Sequence, residues 1–403
     1  MNINVSYNDI LLARENIKNV INKTPLQFSQ TFSDICGFPV YLKPENLQKT
    51  GSYKIRGAYN KICSLSQEQK EKGVMTASAG NHAQGLSYAA KMAGIKATVF
   101  MPKNAPIAKI EATKGYGANV IITGNNFDET TEEALNWQKT NGSLFISPFD
   151  DDYIIAGQGT IGLEILEEIN DIENIIIPIG GGGLISGISI AVKTINDKIK
   201  IIGVQAEGSP ALYKSYKEGR LINVSFSQTI ADGINIKKPT ERTFNIIKKY
   251  VDDIVTVDDE EISEAMIYLI ERCKLVVEPS GAVGIASIIN KKINKLSGKT
   301  CVVISGGNVD IKMIDSIVKK GLLKAGRYLK FTTMISDIPG SLYTLLGIIY
   351  HLNASVININ HNRLKSNIKI GYTEVEILLE TINQEHNNQI LEVLKEKGYN
   401  LVL

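Results

Sequence analysis

Histidine and cysteine are scarce in this sequence of 403 residues, which contains four of each. Three of the histidines lie beyond residue 350, so His82 is the only imidazole available to the longer N-terminal part. A Ser-His-Asp triad would have to use His82, and no GxSxG turn accompanies it. One imidazole is also too few for multi-histidine metal catalysis. The chemistry of this chain must therefore depend on other residues, and we predict no metal site.

The four cysteines are far apart in the sequence and form no CxxC pair. This spacing argues against a disulfide framework or a zinc site and is typical of core thiols in a reducing compartment. The first residues show no charged segment followed by an apolar one, so nothing indicates export. A formal net charge of +2 gives no reason to expect nucleic acid or membrane surfaces as partners. We expect a cytoplasmic protein.

Strand-like and helix-like segments alternate between residues 74 and 326. The apolar strand candidates are VMTA (74–77), ATVFM (97–101), NVIITG (119–124), SLFIS (143–147), IIIPI (175–179), KIIGVQA (200–206), IVTV (254–257) and TCVVIS (300–305). The longer segments between them have helical spacing. This alternation predicts an α/β fold built from βαβ units, with largely parallel sheets buried on both faces.

The pattern changes after residue 326. The last segment reads as strand, helix, strand, strand, helix, strand, which is the βαββαβ order of ferredoxin-like domains. The chain is also longer than the size at which single cores usually stop growing, about 250–300 residues. We therefore predict a domain boundary near Gly326, which separates residues 1–326 from residues 327–403.

A run of four glycines, Gly180 to Gly183, follows the apolar segment IIIPI. Successive amide N–H groups can surround a phosphate, and the positive end of a following helix would help to hold it. The alternative is a tight turn with close packing, for which one glycine would suffice. We favour the anion site. The uncharged stretch 175–192 is not a membrane span, because Pro178 and the glycines would leave backbone groups unsatisfied in lipid.

Lys54 lies among small residues in SYKIRGA (52–58), unlike an ordinary lysine on a helix surface. With a phosphate site and no histidine or metal machinery, it indicates pyridoxal phosphate, whose aldehyde forms a Schiff base with a lysine amine. The amine reacts only without its proton, so we expect its pKa to fall from about 10.4 towards about 7–8. Burial and the neighbouring cation Arg56 are the expected causes. An exposed lysine at a helix start is the alternative.

A series of motifs supports a more specific reading. In chain order they are SYKIRGA, SAGNHAQG (78–85), SPFDDDYIIAGQGTIGLEI (147–165), the glycine run, IADGI (230–234), EPSGA (278–282) and SGGNVD (305–310). Together they resemble the threonine ammonia-lyase (threonine dehydratase) branch of the fold-type II, tryptophan-synthase-β-like pyridoxal phosphate enzymes. The resemblance covers roughly residues 5–320 and implies two lobes with parallel-rich sheets. The smaller lobe, about 45–145, is expected to be inserted into the larger one, 1–44 and 146–326.

The resemblance also implies roles for particular residues. Lys54 would hold the cofactor and, once displaced by substrate, act as the base on the α-proton. Asn81 would contact the ring hydroxyl, and Ser305 would face the pyridine nitrogen. The implied phosphate-binding residues are Gly180, Gly181, Gly182, Gly183 and Leu184. The implied substrate-binding residues are Ser78, Ala79, Gly80, Asn81 and His82. The ordinary alternatives are a turn hydroxyl for Ser305, a helix cap for Asn81 and a core imidazole for His82. The surrounding motifs argue against these alternatives for Ser305 and Asn81, and less so for His82.

The implied reaction is deamination of L-threonine to 2-oxobutanoate and ammonia, with L-serine as a poorer substrate. A neutral hydroxyl at Ser305 weakens the ring as an electron sink and suits prompt β-elimination. Serine dehydration, serine racemisation or a β-replacement on the same fold is an alternative, and a catalytically silent amino-acid sensor is another. Ala79 stands where related serine racemases have a second serine, which argues against racemisation.

The sequence departs from the family pattern at several positions. Tyr53 replaces the usual Phe, and Ser147 stands where His often precedes PFDD, so the side specificity is open. Glu207 matches one cation ligand of related racemases, but Tyr213 replaces the aspartate that would complete the site. A divalent metal is therefore not expected there, and a monovalent ion stays open.

The C-terminal segment is similar to an ACT regulatory domain. This resemblance implies a small amino acid at an interface between two such domains, with Asp337, Gly340 and Asn360 as candidate contacts. A branched-chain amino acid, isoleucine or valine, would make biosynthetic sense as the effector. A dimerisation or packing module is the alternative. We expect a homodimer or homotetramer, which serves isoleucine biosynthesis or threonine catabolism.

Overall fold

A computed structural model describes residues 4–363 and 368–402 of the chain. The contacts divide it into two compact units, Met1–Asp310 and Ile311–Leu403. The helix Ile311–Lys324 falls in the second unit, where it packs against the strand that follows it. The predicted domain limits, with a boundary near Gly326, stay a prediction. Within the described ranges no helix is long and apolar enough to cross a membrane.

The first unit contains a six-stranded sheet. In spatial order its strands are β1 (Gln27–Phe28), β2 (Val40–Pro44), β10 (Thr300–Ile304), β7 (Asn174–Pro178), β8 (Lys200–Ala206) and β9 (Asp253–Val257). All neighbours pair in parallel except β1 and β2. The central strand β7 is buried along its whole length, as expected for a parallel strand covered on both faces.

Eight helices of this unit accompany the six-stranded sheet in the sequence. They are α1 (Tyr7–Ile17), α2 (Gln30–Cys36), α8 (Asp152–Glu168), α9 (Gly183–Ile195), α10 (Ala211–Glu218), α11 (Glu241–Tyr250), α12 (Asp259–Tyr268) and α13 (Pro279–Ile289). Isoleucines of α8, α9 and β7 share one large core with residues of α11 and β10. Glu278, Pro279 and the small residues that follow begin α13 beside the end of β10.

A second, four-stranded sheet is formed by the chain between β2 and α8. Its strands lie in the order β5 (Asn119–Ile122), β4 (Ala97–Met101), β3 (Val74–Ala77) and β6 (Leu144–Phe145), all parallel. Its helices are α3 (Lys54–Cys63), α4 (Gln67–Lys72), α5 (Asn81–Met92), α6 (Ile107–Gly115) and α7 (Phe127–Asn141). The predicted parallel α/β architecture is therefore confirmed.

Two strands, β1 and β2, are absent from the sequence prediction. Strand β2 reads VYLKP, a short apolar run that ends in a lysine and a proline. The side chain of Lys43 is nevertheless fully buried, because its ammonium group lies 2.7 Å from a carboxylate oxygen of Glu164 on α8. Hydrophobic periodicity could not predict this buried lysine, because the carboxylate that neutralises it is far away in the sequence.

Helix α8 packs directly against the two helices that begin at the site described below. A Cβ added to Gly157 of α8 would lie 2.6 Å from the Cα of Gly57 on α3. Two residues further along, on another side of α8, a Cβ added to Gly159 would lie 2.8 Å from the carbonyl oxygen of Gly187 on α9. These close approaches require glycine and hold α3, α8 and α9 in one rigid layer.

The second unit, after α14 (Ile311–Lys324), has the predicted βαββαβ order. Its elements are β11 (Tyr328–Ser336), α15 (Ser341–His351), β12 (Ser355–Asn362), β13 (Tyr372–Glu380), α16 (Gln384–Glu396) and β14 (Leu401–Val402). The four strands form an antiparallel sheet in the order β12, β13, β11, β14. Burial alternates along β11 and β13, so one face of the sheet packs on its own core.

Candidate active site

Lys54 is the first residue of α3, and its amine points into the protein. The segment before it pairs with the end of β10 through the bridge between Ser52 and Gly306. The Nζ atom donates a hydrogen bond of 2.7 Å to the carbonyl oxygen of Pro148. Burial lowers the pKa of Lys54 to about 8, and the carboxyl of Glu278 opposes this shift only in part. The amine therefore loses its proton around pH 8, within the range that the sequence predicts.

The predicted influence of Arg56 on Lys54 is wrong. Arg56 is fully buried, and its guanidinium makes paired hydrogen bonds of 2.6–2.9 Å to the carboxylates of Glu45 and Glu164. These two negative charges neutralise it, so it does not act as a free cation beside Lys54. Burial, the other expected cause, lowers the pKa of Lys54.

The four glycines follow β7 and run into the first residue of α9, where the sequence predicts a loop. Each has a protein neighbour in the direction of a side chain. A Cβ at Gly180 would lie 2.9 Å from the Cα of Ile234, and one at Gly182 would lie 2.9 Å from Thr243. A Cβ at Gly181 would overlap the ring of Phe149. Internal packing therefore accounts for the lack of side chains, and the number of glycines alone no longer indicates a ligand.

The amide groups of the same loop carry the case for an anion. In the described part of the chain, the N–H groups of Gly180 to Leu184 donate to no protein acceptor. Leaving a buried N–H unsatisfied costs about 1–3 kcal/mol, so a bound acceptor is expected. The loop also begins α9, whose N-terminus carries a partial positive charge. This arrangement fits a phosphate group.

Asn81, the first residue of α5, belongs to a partly buried polar network. Its Nδ2 donates to Oε1 of Glu278 at 2.6 Å, and its Oδ1 accepts from Nδ2 of Asn308 at 2.8 Å. Asn308 also donates to the carbonyl oxygen of Thr50. Since Nδ2 has two hydrogens, one remains to donate to a ligand. The network fixes the orientation of the Asn81 amide.

Glu278 and Asn308 are not among the predicted site residues. Burial raises the pKa of Glu278 to about 7, against the hydrogen bond from Asn81 and the charges of Lys109 and Lys54. Glu278 lies in the motif EPSGA and Asn308 in SGGNVD, but the family resemblance implies no role for these two side chains. Only the folded chain brings Glu278 and Asn308 to opposite sides of one asparagine.

Ser305 directly follows β10 and is buried. Its hydroxyl donates a long hydrogen bond of 3.4 Å to the carbonyl oxygen of Ser280. Its own carbonyl accepts from the N–H of Tyr53 at 3.2 Å, which places it beside the segment that carries Lys54. The weak bond of its hydroxyl leaves Ser305 available to a stronger partner.

The predicted substrate residues form the loop between β3 and the first turn of α5. The N–H of Ser78 donates to the carbonyl oxygen of Phe100, and that of Gly80 donates to the hydroxyl of Ser78. Within the described ranges, the N–H groups of Ala79, Asn81 and His82 donate to no protein acceptor. Like the glycine loop, this helix start is suited to an anionic group.

The His82 side chain is held in the core. Its Nε2 contacts the carbonyl oxygen of Ile146 at 3.1 Å, whereas its Nδ1 is buried and finds no hydrogen-bond partner among the described residues. Burial and the charge of Lys54 lower the pKa of His82 to about 3, so the ring is neutral. The geometry favours the core reading for this side chain, while its backbone N–H stays in the loop.

The residues that depart from the family pattern lie near these groups or at the surface. The ring centroid of Tyr53 lies 5.2 Å from Nζ of Lys54. The hydroxyl of Ser147 accepts from the N–H of Asp150 at 3.0 Å. Glu207 is exposed, and the N–H of Tyr213 donates to the side chain of Gln205. The described residues contain no cluster of three or more metal-ligating side chains.

The three effector candidates lie in the second unit. Asp337 pairs with Arg363 at 2.9 Å, and Asn360 on β12 donates to Glu376 at 3.0 Å. Gly340 has a positive φ of 95° and precedes α15, and a Cβ added to it would meet open space. The binding role of these three residues stays a prediction.

Known protein families and relatives resemble this chain over most of its length. The family described as pyridoxal-phosphate dependent enzyme matches residues 17–307. The chain belongs to this family. It is 49% identical to an L-threonine ammonia-lyase of Thermotoga maritima over 98% of both chains. The cofactor of this family member is pyridoxal phosphate.

Two solved structures share the fold of the first unit. A threonine deaminase of Solanum lycopersicum superposes with a TM-score of 0.75 at 37% identity, over 78% of this chain and 92% of that one. The maize serine racemase has the same TM-score and identity, over 79% of this chain and 98% of that one. The fold therefore does not by itself separate deamination from racemisation.

Proposed function

We propose that this chain deaminates L-threonine to 2-oxobutanoate and ammonia with pyridoxal phosphate as its cofactor. The observation that carries the proposal is the buried amine of Lys54, whose pKa is lowered to about 8, together with the glycine-loop amides that have no protein acceptor among the described residues. The relatives named threonine ammonia-lyase and threonine deaminase support the choice of substrate.

When bound, pyridoxal phosphate supplies an aldehyde for covalent attachment and a ring that withdraws electrons from the α-carbon. Lys54 would hold the aldehyde carbon, and the N–H groups of Gly180 to Leu184 would hold the phosphate. Asn81 has one Nδ2 hydrogen left for the ring oxygen, and Ser305 would donate to or accept from the ring nitrogen.

The chain's own groups then handle the substrate. The free N–H groups of Ala79, Asn81 and His82 would bind the carboxylate of threonine at the start of α5. Nζ of Lys54, once released, would take the proton from the α-carbon. The carbonyl oxygen of Pro148, at 2.7 Å, accepts one of its hydrogens and so directs the lone pair of the amine.

L-serine, which has the same leaving group but lacks the methyl group, is the proposed secondary substrate and would give pyruvate. Racemisation of serine is the second candidate, since a serine racemase is as similar in fold as a threonine deaminase. Against it, Ala79 presents no hydroxyl on the loop that precedes α5. A single assay of threonine and serine with chiral product analysis separates the two.

We further infer that the βαββαβ unit is regulatory and binds a branched-chain amino acid. We also infer a cytoplasmic location and assembly into a homodimer or homotetramer, and both inferences depend on the sequence alone. Calorimetric titration of the full chain with isoleucine and with valine tests whether the βαββαβ unit binds a branched-chain amino acid.

The test of the main proposal adds L-threonine to the purified, cofactor-supplemented protein and follows 2-oxobutanoate. We expect turnover in the unaltered chain and in Lys72→Ala, which removes an exposed lysine paired with Glu68. Lys54→Ala should lose nearly all activity. Racemised serine without any keto acid, or normal turnover by Lys54→Ala, would refute the proposal.

A further inference from the structure

Residues Ile146 to Asp152, here called the Phe149 segment, connect β6 to α8 and contact several parts of the site. The segment begins against the substrate loop. The carbonyl oxygen of Ile146 accepts from the hydroxyl of Thr76 at 3.0 Å and lies 3.1 Å from Nε2 of His82. Its N–H donates to the carbonyl oxygen of Met75 at 2.8 Å. This end of the segment is therefore fixed to β3 and α5.

The middle of the segment contacts both parts of the proposed cofactor site. The carbonyl oxygen of Pro148 accepts the 2.7 Å hydrogen bond from Nζ of Lys54. The ring of the next residue, Phe149, packs against Gly181, and its backbone lies 2.9–3.1 Å from the position of a Cβ on Gly183. One dipeptide thus contacts the amine at one side and the amide loop at the other.

Charged groups hold the remainder of the segment. Asp151 caps α8, and its Oδ2 lies 2.6 Å from Nζ of Lys61 on α3, the helix that begins with Lys54. Asp150 and Asp152 lie 3.4 and 3.2 Å from the guanidinium of Arg242 on α11. The segment is therefore anchored on both sides of Pro148 and Phe149.

We propose that Phe149 is a positioning residue that sets the glycine loop against the amine of Lys54. The inference rests on the proposed function, because it concerns the same site. The aldehyde and the phosphate belong to one small molecule, so the amine and the amide loop must both lie within its reach. The ring of Phe149 and the carbonyl of Pro148 are adjacent in one short stretch and contact both groups.

The ring of Phe149 would act by packing against the glycine loop, and it has no group that could take part in the reaction. Without it, the loop at Gly181 and Gly183 loses the surface on which it packs, and its amides can turn away from the phosphate. A charge-assisted hydrogen bond is stronger than a neutral one, so misplacing one amide weakens phosphate binding by about tenfold or more. A misplacement of about 1 Å at the reacting groups can lower a rate on the order of 100-fold.

The experiment separates the two contacts. In the Lys54→Ala protein, which cannot bind the cofactor covalently, the affinity for pyridoxal phosphate is measured by fluorescence titration with and without Phe149→Leu. In the protein that retains Lys54, the rate of covalent cofactor uptake is followed by absorbance. The matched control is Phe32→Leu, a fully buried phenylalanine whose ring packs against Tyr268. Circular dichroism reports whether each variant is folded.

We expect Phe149→Leu to weaken noncovalent binding by about tenfold or more and to slow covalent uptake, and Phe32→Leu to change neither. The inference would be overturned if Phe149→Leu left both the cofactor affinity and the uptake rate unchanged. It would also be overturned if Phe32→Leu lowered them equally. If Phe149→Leu does not fold, Ser147→Ala takes its place, because it removes only the hydroxyl that accepts from Asp150. It should weaken binding in the same direction, and unchanged binding there would also overturn the inference.

Failure of the proposed function looks different. It would appear in the unaltered chain, as cofactor uptake without production of 2-oxobutanoate. The positioning role would still be decided by the binding assays, which need no substrate.

Discussion

Replacement of Arg56 by methionine provides a demanding test of how the Lys54 helix is held. Arg56 is fully buried on α3 and makes paired hydrogen bonds to Glu45 and Glu164, with a further bond to Thr160. Methionine fills part of the volume but leaves the carboxylate of Glu45 buried with the hydroxyl of Thr24 as its remaining close partner. Removing one member of a buried ion pair typically costs about 3–5 kcal/mol.

Glu164 loses less than Glu45, because Nζ of Lys43 remains 2.7 Å from it. We therefore expect the free energy of unfolding of Arg56→Met to fall by about 3–5 kcal/mol, measured by urea denaturation at pH 7. Adding Glu45→Gln to the variant should restore part of the loss, since it removes the stranded charge. The matched control is Arg14→Met, which breaks an exposed pair with Glu167 and should cost about 0–1 kcal/mol. Similar losses for the two arginine variants would refute this reasoning.

Three further predictions follow from the same site. The rate at which the apoprotein takes up pyridoxal phosphate should rise with pH to a plateau above about 8, because burial lowers the pKa of Lys54 to that value; a rate that is flat between pH 6 and 9 contradicts it. Burial raises the pKa of Glu278 to about 7, so the folded protein keeps a proton that the unfolded chain, with a pKa of about 4.3, has lost; stability therefore falls as pH rises from about 4.3 to about 7, by up to about 3 kcal/mol, and levels off above that. Glu278→Gln, which keeps an oxygen for Asn81, should abolish this fall in thermal unfolding curves at pH 5 to 8, and an unchanged pH dependence rules it out. Gly181→Ala should lower stability by about 1–3 kcal/mol and weaken cofactor binding, because its Cβ meets the Phe149 ring, whereas Gly115→Ala meets open space and should not; equal effects of the two changes would contradict the packing argument.

The fold is well predicted where its signals are local. The buried strands β4 and β8 have the bounds that their apolar runs predict, and the glycine loop lies between a strand and a helix as expected. Strand β2 is missed because Lys43 interrupts its apolar pattern, and only Glu164 from a later helix makes that burial tolerable. The two-residue strand β6 is shorter than its predicted segment, 143–147, because the chain turns away at the Phe149 segment.

The site is predicted less completely than the fold because its chemistry depends on pairs that are far apart in the chain. Burial of Lys54 follows from its small neighbours, and it is the confirmed cause of the lowered pKa. The pairing of Arg56 with Glu164 does not follow from the sequence, so the expected contribution of Arg56 is wrong. Glu278 lies 197 positions from Asn81 in the sequence, and no periodicity connects them. The ring of Phe149 against Gly181 is a contact of the same kind.

The covalent attachment of the cofactor to Lys54 is the central claim, and it can be measured directly. The cofactor-loaded protein is reduced with borohydride, digested and mapped by mass spectrometry. We expect one pyridoxyl adduct, on the peptide that contains Lys54, and none on this position when inorganic phosphate replaces the cofactor. An adduct confined to another lysine, or a loaded protein with no adduct, would contradict the account.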